Sequence, residues 1–135
     1  MDGIVMVDSN VYIGLLRRGI DPSECLGNWI GPGDLATCGM VRLEVERGLK
    51  VERVRRSLAS FLDVMINVPT GNRVWEDTAD LAWQLDRKGR VLPAQDLIIA
   101  RCAFSLGAWV LTDDAHFKHI PGLECLAPAT ELDVW

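Results

Sequence analysis

The run Ile4-Val5-Met6-Val7-Asp8-Ser9-Asn10 decides the fold of this chain. Its first four residues are continuously apolar and mostly β-branched. Such a run suits a short strand buried on both faces, as in a parallel sheet covered by helices. The next three, Asp8, Ser9 and Asn10, all cap helices well, so the strand hands over directly to a helix. That helix runs from about Val11 to Arg18 and stops at Gly19.

The same alternation continues. Asp21-Pro22 reads as N-cap and first residue of a second helix, ended by Gly31-Pro32-Gly33. Leu35–Cys38 is a second strand, and Gly39–Leu49 is helical. Val51, Val54, Leu58, Phe61, Leu62 and Met65 form a 3.6-period stripe for the next helix. Met65–Val68 is a third strand. Val74, Thr78, Leu81, Ala82 and Leu85 mark a helix closed by Gly89, and Pro93 opens an apolar helix closed by Gly107. Trp109–Thr112 is a fourth strand, and Leu123–Ala127 a short fifth near an edge. Strands alternating with helices predict right-handed crossovers and an α/β fold. We expect three layers, α/β/α, around a mostly parallel sheet of four to five strands.

At 135 residues the chain fits one domain, 1–135. Apolar types make up 49% of it, enough for a sizeable core. The net charge of −5 excludes a generally basic, DNA-coating protein, though not a nucleic-acid partner met through a local basic patch. The longest charge-free stretch, Cys102–Thr112, is far short of the roughly 20 residues a spanning helix needs. Met1-Asp2-Gly3-Ile4-Val5 carries an early acid and no basic flank, so no secretory leader is expected. Cys25, Cys38, Cys102 and Cys125 form no CxxC pair and sit among apolar or small residues, which reads as reduced thiols in a cytoplasmic protein.

In parallel sheets, sites form beyond the carboxyl ends of the strands. Four acids stand in such places. Asp8 follows the first strand. Glu44 lies on or beside the apolar stripe of the Gly39–Leu49 helix, with Met40 and Gly48 on its face. Glu46 falls instead with Arg42 and Lys50, a solvated face with i, i+4 ion pairs. Asp96 opens the apolar helix, and Asp113-Asp114 follow the fourth strand. Each position has an ordinary explanation, as a cap, a border residue or a first-turn acid. Their conjunction at one sheet edge does not. Clustered carboxylates repel and raise each other's pKa values, and a divalent cation resolves this. Oxygen ligands without thiolate or imidazole favour Mg²⁺ or Mn²⁺, ions suited to phosphoryl chemistry.

These segments resemble a known family. Val5–Asn10, Val41–Gly48, Pro93–Ala100, Val110–Phe117 and the tail Ile120-Pro121-Gly122-Leu123 are together similar to PIN-domain ribonucleases. The likeness is greatest to the single-domain VapC-type and FitB-like toxins of type II toxin–antitoxin systems. It implies that Asp8, Glu44, Asp96 and Asp114 are the catalytic acids, with Asp8, Asp96 and Asp114 holding Mg²⁺ or Mn²⁺. Ser9, Asn10 and Thr112 would be their hydroxyl and amide neighbours, and Asp113 the reserve for the fourth acid. It further implies cleavage of RNA, a homodimer, and a cognate antitoxin bound near the site.

Arg42 to Arg56 is locally basic, and Arg42, Arg47 and Lys50 are candidate contacts for RNA phosphates or an acidic antitoxin segment. His116 and His119 form an H-x-x-H pair without a third ligand, read as no metal site of its own. Of the five tryptophans, Trp135 is the expected exposed one. A phosphotransfer receiver would need an Asp after the third strand, where Val68-Pro69-Thr70 stands. An aspartyl-nucleophile phosphatase would need a second Asp at Asn10. A housekeeping RNA-processing nuclease and a catalytically silent PIN-like domain remain as alternatives.

Overall fold

The computed structural model describes residues 3–135; Met1 and Asp2, on which the reading against a leader rests, lie outside them. The sheet has five strands, all parallel: β1 (Val5–Val7), β2 (Leu35–Cys38), β3 (Ile66–Val68), β4 (Trp109–Leu111) and β5 (Cys125–Leu126). Their order is β3-β2-β1-β4-β5. The seven helices are α1 (Ser9–Arg17), α2 (Pro22–Trp29), α3 (Gly39–Arg47), α4 (Glu52–Asp63), α5 (Asn72–Arg87), α6 (Ala94–Leu106) and α7 (Pro128–Glu131). This is the expected three-layer α/β/α architecture.

The strand order locates the site. From β1 the chain steps outward to β2 and β3, then crosses back to β4 and steps the other way to β5. With right-handed crossovers this reversal places helices on both faces of the sheet. It also leaves a crevice between the carboxyl ends of β1 and β4, where ligands bind in open α/β sheets. Asp8 leaves one wall of that crevice and Thr112 the other. Their backbones are tied, since the Asp8 N–H donates to the Leu111 carbonyl at 2.9 Å.

β1 and β2 are buried throughout, as their unbroken apolar runs require. β3 and β5 are edge strands and only partly covered. The helix starts obey capping chemistry. Asp8 accepts from the Ser9 N–H, so α1 begins two residues before Val11, and Asp21 accepts from the Ser23 N–H at 2.9 Å. α6 ends on Gly107 in the left-handed conformation, φ 61°. Leu97–Ala100, Cys102 and Ala103 are all buried, so α6 is an internal helix. All four cysteines are free thiols. No helix among the described residues is long and apolar enough to cross a membrane.

Three local expectations are corrected. Val51 is the N-cap of α4 and 54% exposed, so the apolar stripe starts at Val54. Glu46 pairs with Arg55 at 3.2 Å and Arg42 with Asp63 at 2.7 Å, because α4 runs close enough to α3 to take both partners from it. Trp135 is half-buried: its ring lies against Gly14 of α1, with the Arg18 guanidinium 4.0 Å from its centroid. The exposed tryptophans are Trp75 and Trp83 on α5, 50% and 61% exposed.

Gly14 is what admits Trp135, since a β-carbon there would overlap the indole. Gly14→Ala should therefore destabilise the protein by about 1–3 kcal/mol through overpacking. In a Trp135→Ala background the same change should stabilise by up to about 1 kcal/mol, because a helix-interior glycine is replaced by alanine. Denaturant unfolding of the four proteins measures both. The same sign in both backgrounds would refute the contact.

Candidate metal centre

Asp8 is 3% exposed, and both its carboxylate oxygens are engaged. Oδ1 accepts from the Ser9 N–H at 2.8 Å, and Oδ2 accepts from the Thr112 hydroxyl at 2.8 Å. That hydroxyl also accepts from the Asn10 side-chain amide at 3.2 Å and from the Asp114 N–H at 3.0 Å. The loop is fastened once more where the Asp113 N–H donates to Asn10 Oδ1 at 3.2 Å. Thus the two residues after Asp8 and the three after β4 form one network across the crevice.

Glu44 is half-buried on α3, one turn from the end that follows β2. The Ser9 hydroxyl donates to its Oε1 at 3.3 Å. This is the inward placement expected from its spacing. Asp96 sits in the first turn of α6, its side chain 13% exposed. Asp114 caps the short 3₁₀ turn Ala115–His119 by accepting from the His116 N–H at 2.8 Å. Of the doubled acid, Asp114 is turned toward Asp96. Asp113 is exposed, and its contact with the network is through its backbone.

His116 is the residue that sequence reasoning left out. Its Nδ1 lies 3.1 Å from Asp96 Oδ2 and 3.1 Å from Asp114 Oδ1. An imidazole does stand at the acid cluster, contrary to the expectation of oxygen donors alone. The H-x-x-H pair is not the reason. His119 is not among the donor atoms gathered there; its backbone carbonyl accepts from Arg90 Nη1 at 3.4 Å. The usable signal was the Asp114-x-His116 spacing, since a capped turn folds residue i+2 back over the cap.

Electrostatics couple the acids. Burial pushes the Asp8 carboxyl up to about 6; hydrogen bonds from Thr112 and Ser9 oppose this, and the charges of Asp96 and Glu44 add to it. Burial also raises Asp96, helped by Asp114 and Glu44 and opposed by His116. Asp96, Asp114 and His116 offer donor atoms all within 4.8 Å of one another. Two ligands facing each other across an ion with bonds of about 2.1 Å stand about 4.2 Å apart, so the set fits one small divalent cation after slight closure. Carboxylates suit Mg²⁺ and Mn²⁺, and the added imidazole moves the preference toward Mn²⁺.

The chain matches the PIN domain family model over residues 5–123. It belongs to the PIN-domain family. Solved structures agree on the fold. VapBC2 from Rickettsia felis, bound to a promoter DNA fragment, matches with a TM-score of 0.76 at 22% identity, over 92% of this chain and 98% of that one. DNA-bound VapBC from Salmonella typhimurium matches with a TM-score of 0.77 at 21% identity, over 93% and 98%. FitAcB from Neisseria gonorrhoeae matches with a TM-score of 0.75 at 19% identity, over 93% and 99%. Comparison with curated proteins finds no match.

The raised Asp8 carboxyl has a consequence for the metal-free protein. An acid bound more tightly by its proton when folded loses stability as pH rises, here from its unfolded value of 3.8 through about 6. The ceiling on that loss is about 3 kcal/mol. Asp8→Asn removes the titration. Its stability relative to wild type should therefore rise by about 1–3 kcal/mol between pH 4 and pH 7.5, beyond any constant offset from the altered Thr112 hydrogen bond. Urea unfolding in chelator across that range checks this; a pH-independent difference would contradict it.

Proposed function

We propose that the chain, taken as a single domain over residues 1–135, is a Mg²⁺- or Mn²⁺-dependent endoribonuclease and the toxin of a toxin–antitoxin pair. The observation that carries this reading is the convergence of Asp8, Glu44, Asp96 and Asp114, from four separate segments, on the β1/β4 crevice. Burial and mutual charge raise Asp8 and Asp96. Such a cluster is stable only with a cation or bound protons, and its donors suit a hard divalent ion.

Asp96 and Asp114 would hold the ion, with Asp8 completing the site directly or through water. A divalent ion bound there supplies positive charge against phosphodiester oxygens as they gain negative charge. The remaining work belongs to the chain's own groups. Glu44, steadied by the Ser9 hydroxyl, orients the attacking water and accepts its proton. Thr112 and Asn10 fix the Asp8 carboxylate, so its oxygens need no reorganisation when substrate arrives. The water attacks phosphorus in line and the leaving oxygen departs opposite.

Arg47 and Lys50 are exposed, and among the described residues they enter no ion pair, so they remain available to RNA phosphates. Arg42 is engaged by Asp63 and is the weaker candidate. An antitoxin partner is supported by the neighbours, which are toxin–antitoxin complexes. A homodimer and a cytoplasmic location complete the proposal.

Asp8→Asn or Asp96→Asn should cut Mn²⁺-dependent RNA cleavage by more than the roughly 10–100-fold that losing a metal's outer-shell partner costs. Circular dichroism should stay unchanged. Undiminished cleavage by both variants would sink the site. Glu44→Gln should cost about 10²–10⁴-fold as loss of a general base, while Glu46→Gln, an exposed-pair partner, should change the rate by less than about 2-fold. Equal losses would refute the role given to Glu44.

The toxin reading has its own test. Expression should arrest growth, and Asp96→Asn should relieve the arrest. Harmless expression of nuclease-active protein would favour a housekeeping RNA-processing enzyme.

A further inference from the structure

Beside the acid cluster a cavity of about 400 Å³ opens between the loop after β4 and the edge strand β5 with α7. Its lining includes Thr112 and Asp114, so it shares two residues with the candidate metal centre. Its outer wall includes Lys118, Cys125, Ala127 and Thr130. Pockets that take small organic groups fall at about 300–1,000 Å³, so this one admits a single base with its sugar. Lys118 is its one basic lining residue among the described residues. Its ammonium lies near enough to Cys125 to oppose the rise that burial gives that thiol. Asp113 and Glu131 line it as well, and both are acceptors.

We propose that this cavity holds one nucleotide flanking the cleaved bond of a single-stranded RNA, with Lys118 on its phosphate and Glu131 accepting from an exocyclic amino group of its base. The inference rests on the nuclease reading above and extends it to substrate choice. The charge pattern carries it. Lone acids around a cavity repel a polyanion, but a carboxylate beside a neutral base pairs with an amino group, as carboxylates do with cytosine N4. The ammonium beyond them meets the phosphate. Adenine, cytosine and guanine carry such an amino group and uracil does not. The site therefore favours an amino-bearing base over uracil at one position next to the cut.

The test uses the whole protein, the variants Lys118→Ala, Glu131→Ala and Ala127→Phe, and short fluorescent oligoribonucleotides that differ at each position around the cut. In wild type, replacing the amino-bearing base by uracil at one flanking position should lower kcat/KM by roughly 5-fold or more. Glu131→Ala should abolish that preference. Lys118→Ala should raise KM for all sequences alike and reduce the slope of log affinity against log salt by about 0.7, one phosphate's share for a single strand. Ala127→Phe, which fills the cavity, should do both. Mn²⁺ binding by calorimetry should be unchanged in all three. If wild type cleaves RNA but the variants keep its KM, salt slope and base preference, the cavity is not a nucleotide site while the nuclease reading stands. Oligonucleotide affinity is also measured by anisotropy in chelator. If wild type binds without cleaving and Lys118→Ala weakens binding, the nuclease reading falls and the subsite survives. Absence of both cleavage and binding overturns the two together.

Discussion

The hydroxyl of Thr112 is saturated, and the site hangs on it. It donates once, to Asp8, and accepts twice, from the Asn10 amide and the Asp114 N–H. A hydroxyl has no more to give than one donor and two acceptor sites. Through that atom the exit of β1 is locked to the exit of β4, at the place where the strand order reverses. The same bond partly offsets the burial of a carboxylate that is almost wholly out of water. Valine has the same shape but no hydroxyl, and it would take a partner from Asp8 Oδ2, from the Asn10 side-chain amide and from the Asp114 N–H.

Given that lock, the rest of the site is a problem of charge. Asp8 and Asp96 are raised by burial and by each other's neighbourhood, while His116 stands 3.1 Å from two of the acids and opposes the rise at Asp96. Its Nδ1 and the two carboxylates point at one place, and together they are the donor set that could hold a divalent ion. The imidazole is half exposed, whereas Asp8 is buried and held at both oxygens. The rigid part of the centre is thus the β1/β4 lock, and the adjustable part is the turn carrying Asp114 and His116.

Much of this was legible in the sequence, for reasons that can be named. β1 and β2 read correctly because strands buried on both faces must be apolar without interruption. Asp8 and Asp96 stand out as candidates because each sits beside an element whose type is unmistakable. Glu44 was placed inward by helical spacing alone, and it does receive a hydrogen bond from Ser9. Contacts between distant segments were not legible. Nothing local in Arg42 or Glu46 reveals that α4 supplies Asp63 and Arg55 as partners in place of each other. Trp135 read as exposed because it is terminal, but Gly14, remote in sequence, opens a seat for it. His116 was judged as a member of a pair with His119, a spacing that belongs to α-helices. The segment is a 3₁₀ turn whose cap, Asp114, sets where His116 points. The error was one of period, and it hid the one imidazole in the cluster.

The acidity of the chain also takes on a different meaning once the residues are placed. A net charge of −5 spread evenly would repel RNA everywhere. Here four acids are drawn into one crevice, where burial shifts two of them, Asp8 and Asp96, toward the protonated form. Elsewhere the two sides of the fold differ. Arg47 and Lys50 stand unpaired near the end of α3, while Arg55 and Arg56 are occupied by Glu46 and Glu52. Arg17, Arg53, Arg87, Lys88, Arg90 and Lys118 likewise enter no ion pair among the described residues, so free cations are spread over the fold. On the proposed reading, the ones that meet RNA are Lys118 beside β5 and Arg47 with Lys50 beyond α3. In that reading, a net negative charge with contacts fixed at the site favours selection by position over coating. The bulk field of this acidic chain does not, on the same reading, draw a strand in, so the groups at the site itself must hold it.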